Sequence, residues 1–75
     1  MRTTLKYERG ASGFTQAQLA KMTGVTRKTI SAIENGDNHP SLVLAVRLAL
    51  VFQKPVESIF IAERKDLTPW IRRCR

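Results

Sequence analysis

The stretch TQAQLAKMTGVTRKTISAIENG, residues 15–36, contains two helix-like runs that are separated by a Gly-Val-Thr corner. Thr15 is followed three residues later by Gln18, a spacing that predicts a capping box at the start of the first helix. Gly24 predicts the end of that helix, because glycine readily adopts the left-handed conformation of a C-cap. Thr26 then caps the second helix. The stretch therefore predicts two short helices joined at a steep angle.

The rest of the chain also has the pattern of short helices. A first helix is expected within residues 2–11, a fourth begins at Ser41 in SLVLAVRLALVFQ, and a last short one begins at Pro55 in PVESIF. No strand-like alternation lasts more than a few residues, and no apolar run approaches the roughly 18 residues that a membrane helix needs. The 75 residues therefore predict one small all-α domain, near the size at which a hydrophobic core is only just sufficient.

Basic residues outnumber acidic ones by 13 to 6, which gives a formal net charge of +7. The excess is spread along the chain, since the first 60 residues carry eight basic and four acidic groups and the rest carry five and two. Such a balance favours a polyanionic partner, either nucleic acid or an acidic membrane surface. Charge alone leaves an ordinary solubilising surface equally open.

The second helix of the pair has two different faces. Ile30 and Ile33 are three residues apart and are expected to face the core. The opposite face carries Arg27, Lys28, Ser31, Ala32 and Asn35. A helix of about nine residues with short polar groups on its outer face fits the DNA major groove, although an ordinary surface helix is the alternative. In the first helix of the pair, the residues expected to turn inward are Leu19, Ala20, Met22 and Thr23.

Residues 15–60 resemble the phage Cro/repressor (XRE-type) helix-turn-helix family. The features that carry the resemblance are Gln16, Ala20, Gly24, Val25, Ile30, Ile33, the Ile-Glu-Asn-Gly ending and Pro40-Ser41-Leu42. The resemblance implies an all-α, five-helix, lambda-repressor-like DNA-binding domain over residues 1–61, in which helices 2 and 3 form the DNA-reading unit. Residues 62–75 would then be a basic C-terminal extension.

The resemblance also implies roles for individual side chains. Arg27 and Lys28 match positions at the start of the recognition helix, where they can bond guanine O6 and N7. Ala32 can offer only a methyl contact to thymine. Gln16 and Asn35 match positions that hydrogen-bond phosphates, which set register but carry no sequence information. The full set of candidate DNA contacts is Gln16, Thr26, Arg27, Lys28, Ser31, Ala32 and Asn35.

Two charged residues of the first helix relate differently to the family pattern. Arg9 matches an arginine that pairs, in the family, with the glutamate position occupied here by Glu34. Such an ion pair would explain why an acidic residue is tolerated on a helix aimed at DNA. Glu8, by contrast, stands where the family usually places a core leucine or a similar residue. The packing of helix 1 is therefore expected to differ from the family pattern.

The fourth helix carries two apolar stripes. The predicted core stripe is Leu42, Ala45, Leu48, Ala49 and Phe52. Val43, Val46 and Leu50 form a second stripe at i, i+3 and i+7. A small domain can rarely bury a helix on two sides, so this stripe needs a cover. A second subunit would make it a dimer interface; the alternative cover is the C-terminal extension, folded back through Leu67, Trp70 and Ile71.

Enzymatic and membrane functions find little support. His39 is the only histidine, and no residue is spaced with it as in a catalytic triad or a metal site. Cys74 is the only cysteine, which excludes an internal disulfide and fits a reducing cytoplasm. The N-terminal MRTTLKYERG lacks the apolar region of a secretory signal. The most apolar helix also lacks the basic polar face of an interfacial helix.

These observations predict a cytoplasmic transcriptional regulator without enzymatic activity or cofactor. It would bind double-stranded DNA as a homodimer on an inverted-repeat operator, with repression favoured over activation. One alternative keeps the fold and makes the chain an antitoxin-like, autoregulatory DNA-binding partner of a toxin protein. A second alternative is a protein-interaction module that binds no DNA.

Overall fold

Five helices form the body of the protein in a computed structural model that describes residues 1–63 and residue 66. The elements are β1 (Arg2–Thr3), α1 (Leu5–Ala11), α2 (Gln16–Thr23), α3 (Arg27–Glu34), α4 (Leu42–Phe52), α5 (Val56–Ile59) and β2 (Phe60–Ile61). The predicted five-helix, helix-turn-helix architecture is confirmed. None of the helices in the described ranges is long and apolar enough to cross a bilayer. The division into a domain over 1–61 and an extension over 62–75 remains a prediction.

Local side-chain chemistry fixes the ends of α2 and the start of α3, as predicted. The hydroxyl oxygen of Thr15 accepts a hydrogen bond from Gln18 N at 3.0 Å, and Thr15 N donates to Gln18 Oε1 at 2.8 Å. Gly24 ends α2 in the left-handed conformation, with φ of 78°. Thr26 Oγ1 then accepts from Thr29 N at 3.2 Å and caps α3. These caps hold the corner between α2 and α3 to three residues.

A short antiparallel ribbon, which the sequence pattern did not predict, joins the two ends of the helical body. Arg2–Thr3 pairs with Phe60–Ile61, and Thr4 N donates to Ile59 O at 2.9 Å. Helix α1 therefore begins only at Leu5, and the predicted PVESIF helix is shortened to four residues. Two-residue strands are too short to produce an alternation that can be recognised in a sequence.

The hydrophobic core lies where the five helices meet. Its buried apolar residues are Leu5, Leu19, Ala20, Ile30, Ile33, Leu44, Ala45, Leu48, Ala49, Ile59 and Phe60. Two core predictions are wrong. Leu42 is 77% exposed, because it begins α4 at the edge of the core and Leu44 points inward instead. Met22 is 52% exposed, because Leu19 and Thr23 define the inward face of α2 and leave Met22 on its flank.

Glu8 is buried on α1 and has an ionic partner that the sequence did not reveal. Its Oε2 accepts a hydrogen bond from Lys54 Nζ at 2.5 Å. Lys54 lies between α4 and α5, 46 residues further along the chain. The exposed fractions of the two side chains are 12% for Glu8 and 45% for Lys54, so the pair lies at the edge of the core. This contact explains how α1 accommodates an acidic residue on its inward face.

Candidate nucleic-acid interface

Helix α3 turns one face to the core and leaves the other free. Ile30 and Ile33 are 0% and 2% exposed, which anchors the helix and fixes its rotation. Arg27 and Lys28 are exposed in the first turn. Neither cation makes an ion pair with an acidic residue in the part of the chain that the structure describes. Both charges therefore remain available to an anionic ligand.

Small side chains occupy the middle of the outer face of α3. Ser31 and Ala32 are half-buried, and Asn35 is exposed at the C-cap. Short side chains allow the helix backbone to approach a groove floor more closely than lysine or arginine side chains would. The candidate contacts of α3 thus form a surface with long cations at one end, small residues in the middle and an amide at the other end.

Thr26 stabilises the start of α3 through its hydroxyl group. Besides capping Thr29 N, its hydroxyl lies 3.0 Å from Thr29 Oγ1, so the two hydroxyl groups share a hydrogen bond. Thr26 is nevertheless exposed. Its predicted contact with DNA remains a prediction, and any such contact has to be made by a hydroxyl group that already caps the helix.

The carboxylate of Glu34 links three parts of the fold. Arg9 Nε donates to Glu34 Oε2 at 2.6 Å, and Gln16 Nε2 donates to Glu34 Oε1 at 3.0 Å. Arg9 Nη1 also donates to Phe14 O at 2.9 Å. The ion pair expected from the resemblance is therefore present and joins α1 to the end of α3. The bond from Gln16 was not foreseen, and it holds the N-terminus of α2 in the same network.

Burial and pairing together remove the negative charge of Glu34 from the outer surface. The Glu34 side chain is only 1% exposed, and that of Arg9 is 17% exposed. An unpaired carboxylate at this position would repel a phosphate backbone. Because the carboxylate is paired and buried, the charged side chains that α3 leaves exposed are those of Arg27 and Lys28.

Arg47 is a further residue that contacts the helix-turn-helix unit and was not identified from the sequence. It lies on α4, and its Nη1 donates to the main-chain oxygen of Thr23 at 3.3 Å. The same nitrogen is 3.8 Å from the position that a Cβ would occupy on Gly24. No sequence pattern marks this contact, since donor and acceptor are 24 residues apart and the acceptor belongs to the backbone.

The second apolar stripe of α4 is exposed. Val43, Val46 and Leu50 are 60%, 41% and 71% exposed, and Leu42 extends the stripe at its N-terminal end. Leu67, Trp70 and Ile71, the alternative cover, lie outside the described residues. No described part of the chain therefore shields this stripe, and its predicted role as a dimer interface remains a prediction.

The described residues contain no arrangement suited to catalysis. His39 is exposed in the loop before α4, and no group of three His, Cys, Asp or Glu residues in this part of the chain could hold a metal ion. An open apolar groove of about 340 Å³ lies on the outer side of α2, lined by Phe14, Gln18, Lys21 and Met22. Its lining contains no carboxylate, histidine, cysteine or hydroxyl group.

Comparison with known proteins agrees with this geometry. The sequence profile of the helix-turn-helix family HTH_3 matches residues 5–59. An uncharacterized HTH-type transcriptional regulator of Archaeoglobus fulgidus is 44% identical over 73 residues, which cover 97% of this chain and 100% of that protein. A similarly named regulator of Methanocaldococcus jannaschii is 49% identical over 63 residues, covering 84% and 96%. The restriction-modification controller protein C.AhdI of Aeromonas hydrophila superposes with a TM-score of 0.68 at 30% identity, covering 75% and 85%.

Proposed function

This chain belongs to the helix-turn-helix family, and on that premise we propose that it represses transcription as a homodimer bound to an inverted-repeat operator. The family and the relatives establish the broader function, a DNA-binding transcriptional regulator that is not an enzyme. The operator symmetry, the dimer and the direction of regulation are the parts that we propose.

The outer face of α3 is the observation that carries the proposal. Arg27 and Lys28 are exposed and make no ion pair with a described acidic residue, and the one acidic residue of α3, Glu34, is buried against Arg9. This distribution of charge suits a helix that lies between two phosphate backbones in a major groove. We therefore assign base contacts to the first turn of α3 and phosphate contacts to Gln16 and Asn35.

The exposed stripe of α4 supports the dimer. A two-fold interface uses the same patch on both subunits, so one apolar stripe is sufficient to form it. Val43, Val46 and Leu50 offer such a patch on a helix that does not carry the candidate DNA contacts. Two half-site interactions joined in this way gain affinity through effective concentration, without any new base contact.

Repression is the simpler direction of regulation for a small DNA-binding protein. A dimer that occupies a promoter excludes RNA polymerase by its presence, whereas activation requires a further productive contact with the polymerase. The archaeal relatives come from cells whose DNA lies in the cytoplasm, so we propose a cytoplasmic location for this regulator as well. None of its steps requires a cofactor.

Selection of bound duplexes from a random pool, read out by mobility shift, tests the proposal. We expect enrichment of an inverted repeat whose half-sites lie about 10 base pairs apart, because paired recognition helices are separated by about 34 Å. A pool without an enriched sequence would contradict sequence-specific binding, and a single unrepeated half-site would contradict the dimer.

Transcription from a promoter that carries the selected site tests the direction of regulation. Addition of the protein should reduce the transcript, and a site with scrambled half-sites is the control. An increase would assign activation instead. If the operator overlapped the protein's own promoter and a small toxin-like reading frame adjoined it, the antitoxin-like role would be favoured.

A further inference from the structure

The geometry points to Arg47 as a positioning residue for sequence recognition: from α4 it holds the corner between α2 and α3, and so fixes the direction of α3 without contacting DNA. This inference rests on DNA binding through α3 and is independent of the proposed dimer. It assigns a function to a side chain outside the helix-turn-helix unit itself.

The part of α4 that carries Arg47 is held in place by the hydrophobic core. Leu44 and Leu48, one turn before and one residue after it, are 8% and 0% exposed, so the core fixes this part of α4. From there the guanidinium reaches Thr23 O at 3.3 Å and lies against Gly24. A fixed backbone at one end and a hydrogen bond at the other make Arg47 a strut between α4 and the corner.

The acceptor at the corner is a carbonyl that α2 cannot satisfy internally. The last carbonyl groups of a helix lack partners within the helix and carry a partial negative charge. The hydroxyl group of Thr23 donates to Leu19 O at 2.9 Å, and Val25 N donates to Ala20 O at 3.0 Å, so these local donors are directed back into α2. A guanidinium from another helix therefore meets an unsatisfied acceptor of the opposite charge.

The corner controls what α3 presents to DNA. Thr26 caps α3 only two residues after Gly24, and Arg27 and Lys28 follow immediately. Helix α3 is eight residues long, or about 12 Å, so a tilt of about 10° at the corner moves its far end by about 2 Å. Base-edge hydrogen bonds do not survive such a displacement, whereas long-range attraction to phosphates does. Loss of the strut should therefore reduce specificity more than general affinity.

A direct contact of Arg47 with DNA would have a different signature in binding measurements. A guanidinium has five N–H donors, and the side chain is exposed beyond its bond to Thr23. A direct phosphate contact would weaken binding to all duplexes alike and would lower the salt slope by about 1 when removed. A positioning residue leaves the salt slope unchanged.

The test compares Arg47→Met and Arg47→Lys with Lys6→Met, which removes the same charge from an exposed position on α1. Affinity is measured by fluorescence anisotropy on the selected duplex and on a random duplex, over a series of salt concentrations. We expect Arg47→Met to lose about tenfold in operator affinity relative to Lys6→Met, the effect of one hydrogen bond from a charged group. Binding to the random duplex should match that of Lys6→Met, and Arg47→Lys should recover part of the loss.

Two results would overturn the inference. One is an unchanged ratio of operator to random affinity in Arg47→Met; the other is an equal loss on both duplexes with a reduced salt slope, which would indicate a phosphate contact. Arg27→Ala is the reference variant. If its ratio of operator to random affinity were unchanged, α3 would not be the recognition helix, and that result would bear on the proposed function and not on the role of Arg47. If circular dichroism showed that Arg47→Met does not fold, the test would rest on Arg47→Lys. This variant is expected to lose part of the operator specificity, so specificity equal to that of the wild type would count against the inference.

Discussion

Arg9 Nε lies 2.6 Å from Glu34 Oε2, and this contact ties α1 to the C-terminal end of α3, the proposed recognition helix. The carboxylate is almost fully buried, and the guanidinium is also bonded to Phe14 O in the loop before α2. The pair therefore holds three segments in register and removes an acidic charge from the proposed DNA-binding surface.

Breaking this pair should destabilise the protein strongly. Arg9→Met or Glu34→Gln leaves the other partner buried without full compensation, which typically costs about 3–5 kcal/mol. A domain of this size has a total stability of roughly 4–11 kcal/mol, so either variant should lose a large share of it. Urea unfolding of both single variants and the double variant gives the interaction energy. A value near zero would show that the two residues are not energetically coupled, even if each single change were destabilising.

The first turn of α3 should determine sequence preference. Arg27→Ala and Lys28→Ala are each expected to cost about 1–3 kcal/mol on the selected operator and to relax the preference at one or two base pairs. Repeating the duplex selection with each variant measures both effects. Unchanged affinity and an unchanged consensus in both variants would mean that α3 does not contact the bases.

The predicted phosphate contacts should behave differently. Asn35→Ala and Gln16→Ala are expected to weaken binding to operator and random duplexes by similar factors, because phosphate contacts carry no sequence information. Gln16 also donates to Glu34, so its variant needs a parallel measurement of unfolding free energy. A change of consensus in Asn35→Ala would assign that residue to base contacts instead.

The exposed stripe of α4 should control the oligomeric state. Val46→Glu and Leu50→Glu place a charge in the proposed interface and should give folded monomers with much weaker operator binding. Tyr7→Glu is the matched control, since Tyr7 is 73% exposed on α1 and lies outside the stripe. Sedimentation velocity measures the assembly. Dimers that persist in both stripe variants would exclude this interface, and truncation after Ala62 would then test the C-terminal extension.

The pair between Glu8 and Lys54 offers a test of a different kind. Lys54→Met should destabilise the protein by about 1–3 kcal/mol, because it leaves a buried carboxylate without its hydrogen-bond donor. Glu8→Leu combined with Lys54→Met should restore or exceed the original stability, since apolar replacement of an ion pair is often neutral or favourable. Urea unfolding decides between these outcomes, and a double variant less stable than Lys54→Met alone would contradict the expectation.

Features of the fold that depend on residues close together in the sequence were predictable. The capping of α2 by Thr15 and of α3 by Thr26 needs only a side-chain oxygen three residues before the backbone N–H that donates to it. The choice between Leu42 and Leu44 as a core residue was not predictable from periodicity, because both fit an apolar helix and only the packing of α4 on the other helices decides. The β1–β2 ribbon was missed because its pairing partners come from opposite ends of the domain.

The candidate interface likewise combines local features that were predictable with long-range contacts that were not. The polar outer face of α3 follows from the spacing of Ile30 and Ile33, whereas the pairing of Arg9 with Glu34 was expected only from the family resemblance. The bond from Arg47 to the backbone of Thr23 had no signal in the sequence, since any carbonyl group can accept a hydrogen bond. Long-range contacts are therefore what the structure adds, both to backbone atoms and between side chains such as Gln16 and Glu34.

The ribbon between β1 and β2 has a consequence for the order of folding. Arg2 pairs with Ile61, which is 59 positions away, while the main contacts between helices, such as α2 with α3 and α4 with α5, join segments that are closer in sequence. Closing the longest loop has the largest entropic cost, so we expect the helices to assemble first and the ribbon to close afterwards. Interactions that form after the transition state slow unfolding and have little effect on the folding rate. The ribbon should therefore slow unfolding, and so lengthen the time for which the domain stays folded, with little effect on how fast it folds.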